Sequence, residues 1–373
     1  MRIAVNTRFL IKNKLDGIAW FTYHTLKEMT QKHSDFEFIF IFDRPFSQDF
    51  IFSKNIIPVS IFPPARHPFL WFLWFEFVIP KILKKYNANI FLSPDGYVSL
   101  HTKIPTISVM HDINFMHRPK DLPFWVRNYY QYYFPKFAQK AKRIATVSEY
   151  SKNDISQTFS IPKKKIDVVY NGSNSLYKPL NESEKNQVKQ KYSQNTDYFI
   201  FIGTLHPRKN VANLLLAFDK FRKNIQQNFK ILIVGSEMFK TSEMFNVYSK
   251  MEYKNDVIFT GWLPPEELSK VLGAAFSLTF VPFFEGFGIP VLESMYCDVP
   301  VLSSNTTSLP EVCGEAAILV NPDSVDSISE GMLKIFSDKN LRNSLIEKAK
   351  TQREKFSWQK TSEKLWNCLE KCL

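Results

Sequence analysis

The sequence has little glycine: 11 residues in 373. With so few, a glycine at a strand end marks a tight backbone approach, and glycine-rich low-complexity architecture is excluded. Cysteine is equally scarce. Cys297, Cys313, Cys368 and Cys372 all fall late, with no C-x2-C pair and no accompanying histidine cluster. Neither a disulfide scaffold nor a zinc site is expected, and free thiols suit a reducing cytosol. Long hydrophobic runs are missing too. The most apolar stretch, FLWFLWFEFVIP at 69–80, spans 12 residues, contains Glu76 and ends in proline. A bilayer span needs about 20, so this stretch reads as a core helix, or as an interfacial one with Trp71 and Trp74 at headgroup depth. The opening MRIAVNTR carries charge and no apolar core, so no secretory signal is expected.

Acidic residues are short only in the first half. The whole chain has 48 Lys+Arg against 36 Asp+Glu, a net +12. Residues 1–180 hold 25 basic and 13 acidic side chains, and the remainder holds 23 of each. A basic excess first suggests nucleic acid or an anionic membrane. No aromatic–basic module of a known nucleic-acid-binding type occurs, so a basic nucleic-acid-binding protein is the remote alternative.

Short apolar runs alternate with stretches of helical period, the pattern of α/β architecture with parallel sheets. Strands are expected near 2–6, 36–42, 57–61, 89–93, 106–110, 143–147 and 166–170, then near 198–203, 229–234, 257–260, 276–280, 300–303 and 317–320. Helices are expected near 18–31, 71–86, 123–141 and 149–158, then near 210–225, 240–251, 264–273, 290–297, 325–336 and 339–355. The polar segment 171–196 reads as a linker, with room for a short helix around 182–192. At 357–372, Trp358, Leu365, Trp366 and Leu369 recur at helical spacing. The chain therefore reads as two Rossmann-like domains, 1–175 and 176–356, with a closing helix at 357–373 that packs toward the first. Ligands of such sheets bind at the carboxyl ends of the strands.

Two stretches carry chemistry. In FVPFFEGFGIPVLESMYCDVP, 280–300, a strand feeds a loop holding Glu285, Gly286 and Gly288, and Pro290 opens a helix. A loop running into a helix N-terminus presents N–H groups and the positive dipole end to an anion. Glu285 could reach hydroxyls beside that anion, and Glu293, a turn into the helix, could accept from a ribose diol. The bland alternative is a loop cap and a dipole-stabilised first-turn carboxylate. In GTLHPRKN, 203–210, Arg208 and Lys209 stand at a helix start, where the dipole disfavours cations unless an anion joins them. A ligand anionic in its middle and hydroxyl-rich at both ends, such as a nucleotide sugar, satisfies both stretches.

EGFGIPVLE together with GTLHPRKN resembles the retaining glycosyltransferases of family four, whose fold is the two-domain GT-B. RIAVNTRFL, DGIAWFTYHTL, SVMHDINF, ATVSEYSKNDI, VVYNGS and FTGWLPPEEL extend the likeness over nearly the whole chain. The resemblance implies a nucleotide-sugar-binding second domain and an acceptor-binding first domain. It implies that His111 and Glu285 are catalytic, with Glu285 on the donor sugar's hydroxyls and His111 near the reaction centre. For the donor it implies Gly17, Thr204, Arg208, Lys209, Phe287, Gly288, Ile289 and Glu293. Asp95 and Asp112 are candidate acceptor residues. The family pattern is broken at Ala19, where a second glycine is common, at His206, where an acid is common, and at Ser294, where alanine is common.

GTLHPRKN is similar to members that use GDP-mannose, which favours a mannosyl donor over UDP-glucose or UDP-N-acetylhexosamine. No Asp-x-Asp motif occurs, so a metal-independent hexosyltransferase with no cofactor is expected. A phosphorylase on the same fold would need a pyridoxal lysine site, and nothing demands an epimerase. The basic first domain and its aromatic stretch predict a cytoplasmic protein, peripheral on the inner face of an anionic membrane, that meets a glycan or lipid-linked glycan acceptor in cell-surface polysaccharide synthesis. A monomer or weak dimer is expected.

Overall fold

The computed structural model describes residues 1–238 and 241–373. They divide into two compact units, Met1–Gly172 with Ser357–Leu373, and Ser173–Phe356. Unit 1 runs β1 (Arg2–Asn6), α1 (Gly17–Lys32), β2 (Glu37–Phe42), β3 (Ile56–Ser60), α2 (Pro68–Leu73), α3 (Ile79–Lys85), β4 (Ile90–Ser93), β5 (Thr106–Val109), α4 (Asn114–His117), α5 (Phe124–Lys140), β6 (Arg143–Thr146), α6 (Glu149–Thr158) and β7 (Ile166–Val168). Unit 2 continues with α7 (Glu182–Ser193), β8 (Tyr198–Ile202), α8 (Val211–Lys223), β9 (Lys230–Val234), α9 (Ser242–Lys250), β10 (Val257–Gly261), α10 (Pro265–Gly273), β11 (Ser277–Phe280), α11 (Ile289–Tyr296), β12 (Val301–Ser304), α12 (Leu309–Cys313), β13 (Ala317–Val320), α13 (Val325–Ser337) and α14 (Lys339–Arg353). The last helix, α15 (Trp358–Glu370), belongs to unit 1.

Each unit is built on one parallel sheet. The orders are β3-β2-β1-β4-β5-β6-β7 and β10-β9-β8-β11-β12-β13. Strands such as YFIFI in β8 and IFLS in β4 are buried at every residue, because helices cover both faces of a parallel sheet and leave no polar side. In both sheets the chain first builds outward one way, then returns to the middle and builds the other way. That reversal sets a switch point between β1 and β4 in unit 1, and between β8 and β11 in unit 2. Loops leaving the carboxyl ends of those strands diverge there, which opens a crevice for ligand.

The short helix allowed for around 182–192 is present. Within 171–196, α7 is a full helix of unit 2, started by a capping box between Asn181 and Glu184. It is tied to α10 by Lys191 and by Tyr192, whose hydroxyl donates to Glu267 at 2.7 Å. The 71–86 helix starts earlier, at Pro68, where a proline suits the first turn and the His67 ring caps Phe69 N–H. A π turn, Trp74–Val78, interrupts it. Pro80 has no N–H to give the Glu76 carbonyl, and the wider turn absorbs the mismatch. The stretch is both core and surface: Trp74 and Phe75 are buried, Phe69 and Phe77 exposed. The 240–251 expectation begins at a residue outside the described ones, and α9 covers Ser242–Lys250. The short α4 and α12 had no periodic signal. Among the described residues no helix is long and apolar enough to cross a membrane.

The terminal helix packs on α1. Ser362 Oγ donates to Thr25 O at 3.2 Å, Lys32 pairs with Glu363 at 3.0 Å, and Trp366 stacks on His33. Gly172 lies against Trp358, where an added Cβ would stand 2.3 Å from the Trp358 nitrogen.

Candidate functional site

In unit 2, residues leaving β8 and β11 meet at the switch point. Gly235, at the end of β9 with φ +148°, allows the close strand-end packing: a Cβ there would lie 1.9 Å from Gly203 O. Gly203 then turns the chain into a single 3-10 turn, Pro207–Lys209. His206 caps that turn, its Nδ1 accepting from Arg208 N at 3.2 Å, a task an acidic residue also performs at this kind of position. Asn210, in the left-handed region at φ 60°, ends it. The Asn210 amide donates to Val281 O at 2.9 Å and Pro322 O at 2.8 Å, pinning the turn to the loop after β11 and to the one after β13.

This pinning brings Arg208 and Lys209 onto Glu285. Arg208 donates to Glu285 Oε1 at 3.1 Å and to Phe284 O at 3.0 Å, and the Lys209 ammonium pairs with the same carboxylate oxygen. Lys209 Nζ also sits 5.0 Å from the centre of the Phe280 ring. The backbone of Glu285 is held by Thr307 and Ser308. Burial works against the charge of the Glu285 carboxyl. The Lys209 and Arg208 charges outweigh it and hold the group below the usual carboxylate range.

Gly288 is the N-cap of α11 at φ +98°, and a Cβ there would meet Leu309 Cδ2 at 2.6 Å. No side chain caps the start of α11. Glu293, on its second turn, faces Tyr177. Burial pushes the Glu293 carboxyl up to about 7, against the hydrogen bond from the Tyr177 hydroxyl. Of the remaining donor candidates, Thr204 is exposed, Ile289 half-buried, and Phe287 buried edge-on to Phe356 at 5.5 Å.

In unit 1, His111 leaves the end of β5. Its Nε2 lies 2.9 Å from Pro94 O. A carbonyl only accepts, so Nε2 carries the proton and Nδ1 presents a lone pair. Burial lowers the His111 pKa and so favours the neutral ring, an effect that the hydrogen bond to Pro94 O partly offsets. Phe21 packs edge-on to it at 5.0 Å. Asp95 is not where an acceptor residue was expected. Its side chain is 2% exposed. Arg8 Nε donates to it at 2.6 Å, Asn6 Nδ2 at 2.9 Å and Ser93 Oγ at 2.9 Å, so its oxygens are engaged inside the unit. Asp112 Oδ1 accepts from Asn114 N at 3.0 Å, capping the turn into α4. Gly17 is the exposed first residue of α1, beside its N-cap Asp16.

The structure therefore unites Arg208, Lys209 and Glu285, pairs Glu293 with Tyr177, and links His111 to the residue before Asp95. Tyr177 and Arg8 were not foreseen. Tyr177 is one of only two aromatics, with Tyr192, in a polar stretch, which is itself a burial signal. Arg8 lies two residues past the end of β1. It is 4% exposed and surrounded by the rings of Phe9, Phe75 and Tyr97. Among the described residues no group of three or more His, Cys, Asp or Glu is placed to hold a metal ion.

Residues 182–352 match the family model described as Glycosyl transferases group 1, and residues 15–175 match Glycosyltransferase Family 4. The chain is 30% identical over 278 residues to O-antigen chain mannosyltransferase B of Escherichia coli, covering 74% of this chain and 73% of that protein. It is 26% identical over 269 residues to O-antigen chain mannosyltransferase RfbU of Salmonella typhimurium, covering 72% and 71%. Among solved structures it is similar to HepE of Anabaena in complex with UDP and glucose, with a TM-score of 0.77 at 14% identity over 99% of both chains. WaaG, a glycosyltransferase involved in lipopolysaccharide biosynthesis, aligns with a TM-score of 0.73 at 13% identity, over 97% of this chain and 98% of that one. These two likenesses concern the fold alone.

Proposed function

The chain belongs to the group 1, family 4 glycosyltransferases, with the GT-B fold, and from that membership we propose that it moves mannose from GDP-mannose onto a glycan or lipid-linked glycan in cell-surface polysaccharide synthesis. The observation that carries the reading is the junction of Arg208, Lys209 and Glu285 at the unit 2 switch point. The choice of mannose rests on the two mannosyltransferase relatives and the GTLHPRKN motif.

The chemical problem is charge building on the β-phosphate as the glycosidic bond breaks. Arg208 and Lys209 supply two preorganised cations at that position, and the start of α11 adds its dipole. Losing one such donor costs about 3 kcal/mol, roughly a hundredfold in rate. Glu293 accepts from the ribose diol, and Glu285 from the sugar's hydroxyls. His111, neutral, offers Nδ1 to a sugar hydroxyl. Transfer proceeds with retention: the acceptor attacks from the leaving-group face and its proton passes to the departing phosphate, so no side-chain nucleophile is assigned. No metal or cofactor is assigned either, since the two cations do the neutralising. The acceptor is met by the basic N-terminal unit at the cytoplasmic surface of an anionic membrane.

The test is slow donor hydrolysis across a panel of GDP- and UDP-sugars, with and without chelator, followed by NMR of the product's anomeric configuration. GDP-mannose hydrolysed in chelator, with the α configuration kept, supports the reading. A UDP-sugar used instead would replace the donor assignment, and inversion would overturn the mechanism.

A further inference from the structure

We propose that α2–α3 and α5 of unit 1 form a lipid-docking face that fits the surface of an anionic bilayer. The idea deepens the reading of a membrane-borne acceptor, and rests on that reading for its purpose, though not for its physics.

Seven aromatic side chains among the described residues are exposed over half or more of their surface. Five of them, Phe69, Phe77, Phe124, Trp125 and Tyr132, lie on the segments 68–85 and 124–140. Ring contacts join the two segments into one patch. Phe77 packs edge-on to Phe72 at 5.8 Å, Phe72 lies 6.3 Å from Tyr133, and Tyr133 lies 4.9 Å from Tyr132. Lys136 Nζ then sits 3.4 Å from the centre of the Tyr132 ring. Trp125 and Tyr132 are seven residues apart, so they share one face of α5. At its start, Phe124 and Trp125 pack edge to face at 5.3 Å, with the Arg127 guanidinium 5.2 Å from the Phe124 ring. Burying these rings among each other leaves one side of each in water, a cost that a globular surface normally avoids.

The charge on these segments has one sign. Residues 66–85 and 123–140 carry Arg66, Lys81, Lys84, Lys85, Arg127, Lys136 and Lys140. Their only acid is Glu76, which is buried and accepts from Leu100 N–H and the His101 ring. Over whole units the contrast persists. Unit 1 has 27 basic and 15 acidic side chains, the entire +12 of the chain, and unit 2 has 21 of each. Exposed aromatics among long cations and no exposed carboxylate fit a lipid interface. Rings enter at headgroup depth while lysine and arginine stems lie along the apolar layer with their heads on phosphates. A protein partner of ordinary composition would bring cations of its own against seven.

The test is flotation of the full chain with vesicles of phosphatidylcholine alone, or with phosphatidylglycerol added. Binding should require phosphatidylglycerol and weaken with salt. The triple variant Lys81→Ala, Lys84→Ala, Lys136→Ala should lower partitioning about a hundredfold. Phe69→Ser with Trp125→Ser should lower it at least tenfold and make the remainder fully salt-sensitive. Donor hydrolysis in lipid-free solution should be unchanged in both variants, which also shows that they fold. Wild type indifferent to phosphatidylglycerol, or variants that float like wild type, would overturn the proposal, as would an RNA oligonucleotide that displaces the protein from vesicles at moderate salt. Vesicle binding without hydrolysis of any nucleotide sugar would leave this face standing and sink the donor reading instead.

Discussion

Replacing Glu285 by glutamine should tighten the binding of GDP while nearly abolishing transfer. In the unliganded protein the Glu285 carboxylate occupies the cations that a diphosphate needs: Lys209 and Arg208 both bind its Oε1. An arriving diphosphate must take these cations from the carboxylate and then tolerate it nearby. A carboxylate about 6 Å from a phosphate charge repels it by about 3 kcal/mol at an effective dielectric of about 20. Glutamine keeps the shape and removes the charge. With the Glu285 charge no longer competing for the two cations, GDP affinity should rise by about tenfold to a hundredfold, at about 1.4 kcal/mol per factor of ten.

GDP-mannose should behave differently. Its sugar gains charge-assisted hydrogen bonds from a Glu285 released by the diphosphate, worth about 1.5–3 kcal/mol. Glutamine forfeits these, so donor affinity should change little while kcat falls about a hundredfold. Titration calorimetry with both ligands on wild type and E285Q reads the divergence directly. Because Glu285 is held below the usual carboxylate range, the wild-type reference stays ionised at neutral pH. GDP bound no more tightly by E285Q than by wild type would refute the reasoning. It would mean that the carboxylate is needed to hold Arg208 and Lys209 in place.

Four other outcomes follow from single contacts. Glu293, with its carboxyl near 7, is largely protonated at about pH 6 and ionised at about pH 8. A ribose diol donates to the ionised form, so GDP-mannose affinity should rise over that range, and Glu293→Gln should bind weakly at both; a flat wild-type profile would remove Glu293 from the ribose. The stability of the free protein should run the other way. A folded pKa raised above the unfolded value favours folding at low pH, and that advantage is lost as pH rises through about 7. Gly235→Ala drives a Cβ into Gly203 O and should cost about 3 kcal/mol or more in urea unfolding, since φ +148° is also unavailable to alanine without strain; a loss under 1 kcal/mol would show that the strand ends can separate. Asp95→Asn should release the Arg8 grip on the loop that holds Pro94, loosening the His111 ring. A lower kcat with unchanged GDP-mannose affinity, and a shifted His111 proton signal by NMR, is the expected signature of positioning rather than contact.

What the sequence carried most clearly is what depends on neighbours in the chain. Runs such as YFIFI and KILIV are apolar throughout because both sheet faces are covered, so their strands stand out without an alignment. The loops GTLHPRKN and EGFGIPVLE stand out because each follows such a run and opens a helix. Their meeting does not. Arg208 and Glu285 are 77 residues apart, and only the adjacency of β8 and β11, strands not consecutive in the chain, brings them together. Arg8 and Asp95, 87 apart, meet through β1 and β4 in the same way. Tyr177 lay hidden in a polar stretch, and α7 showed there only as room for a short helix, because it buries little beyond Val188 and Ser193 and draws its order from its capping box.

The two switch points then explain each other. Each sheet reverses its order once, and at each reversal a cation following the first strand of the pair meets a carboxylate following the second. In unit 1 the pair is sealed: the Arg8 and Asp95 side chains are 4% and 2% exposed, with aromatic rings over the guanidinium. Such a pair cannot be exchanged for a ligand, because separating it leaves two buried charges without partners. It can only fix the loop carrying Pro94, and through it His111. In unit 2 the Arg208 and Glu285 side chains keep 19% and 11% of their surface, and Lys209 shares the same carboxylate oxygen. Two cations share one carboxylate there, so an incoming diphosphate can compete for them, and the carboxylate it displaces can turn to the hydroxyls of the sugar. The same topology thus yields a rigid strut where the ion pair is closed and a donor site where it is open, and exposure of the pair decides which.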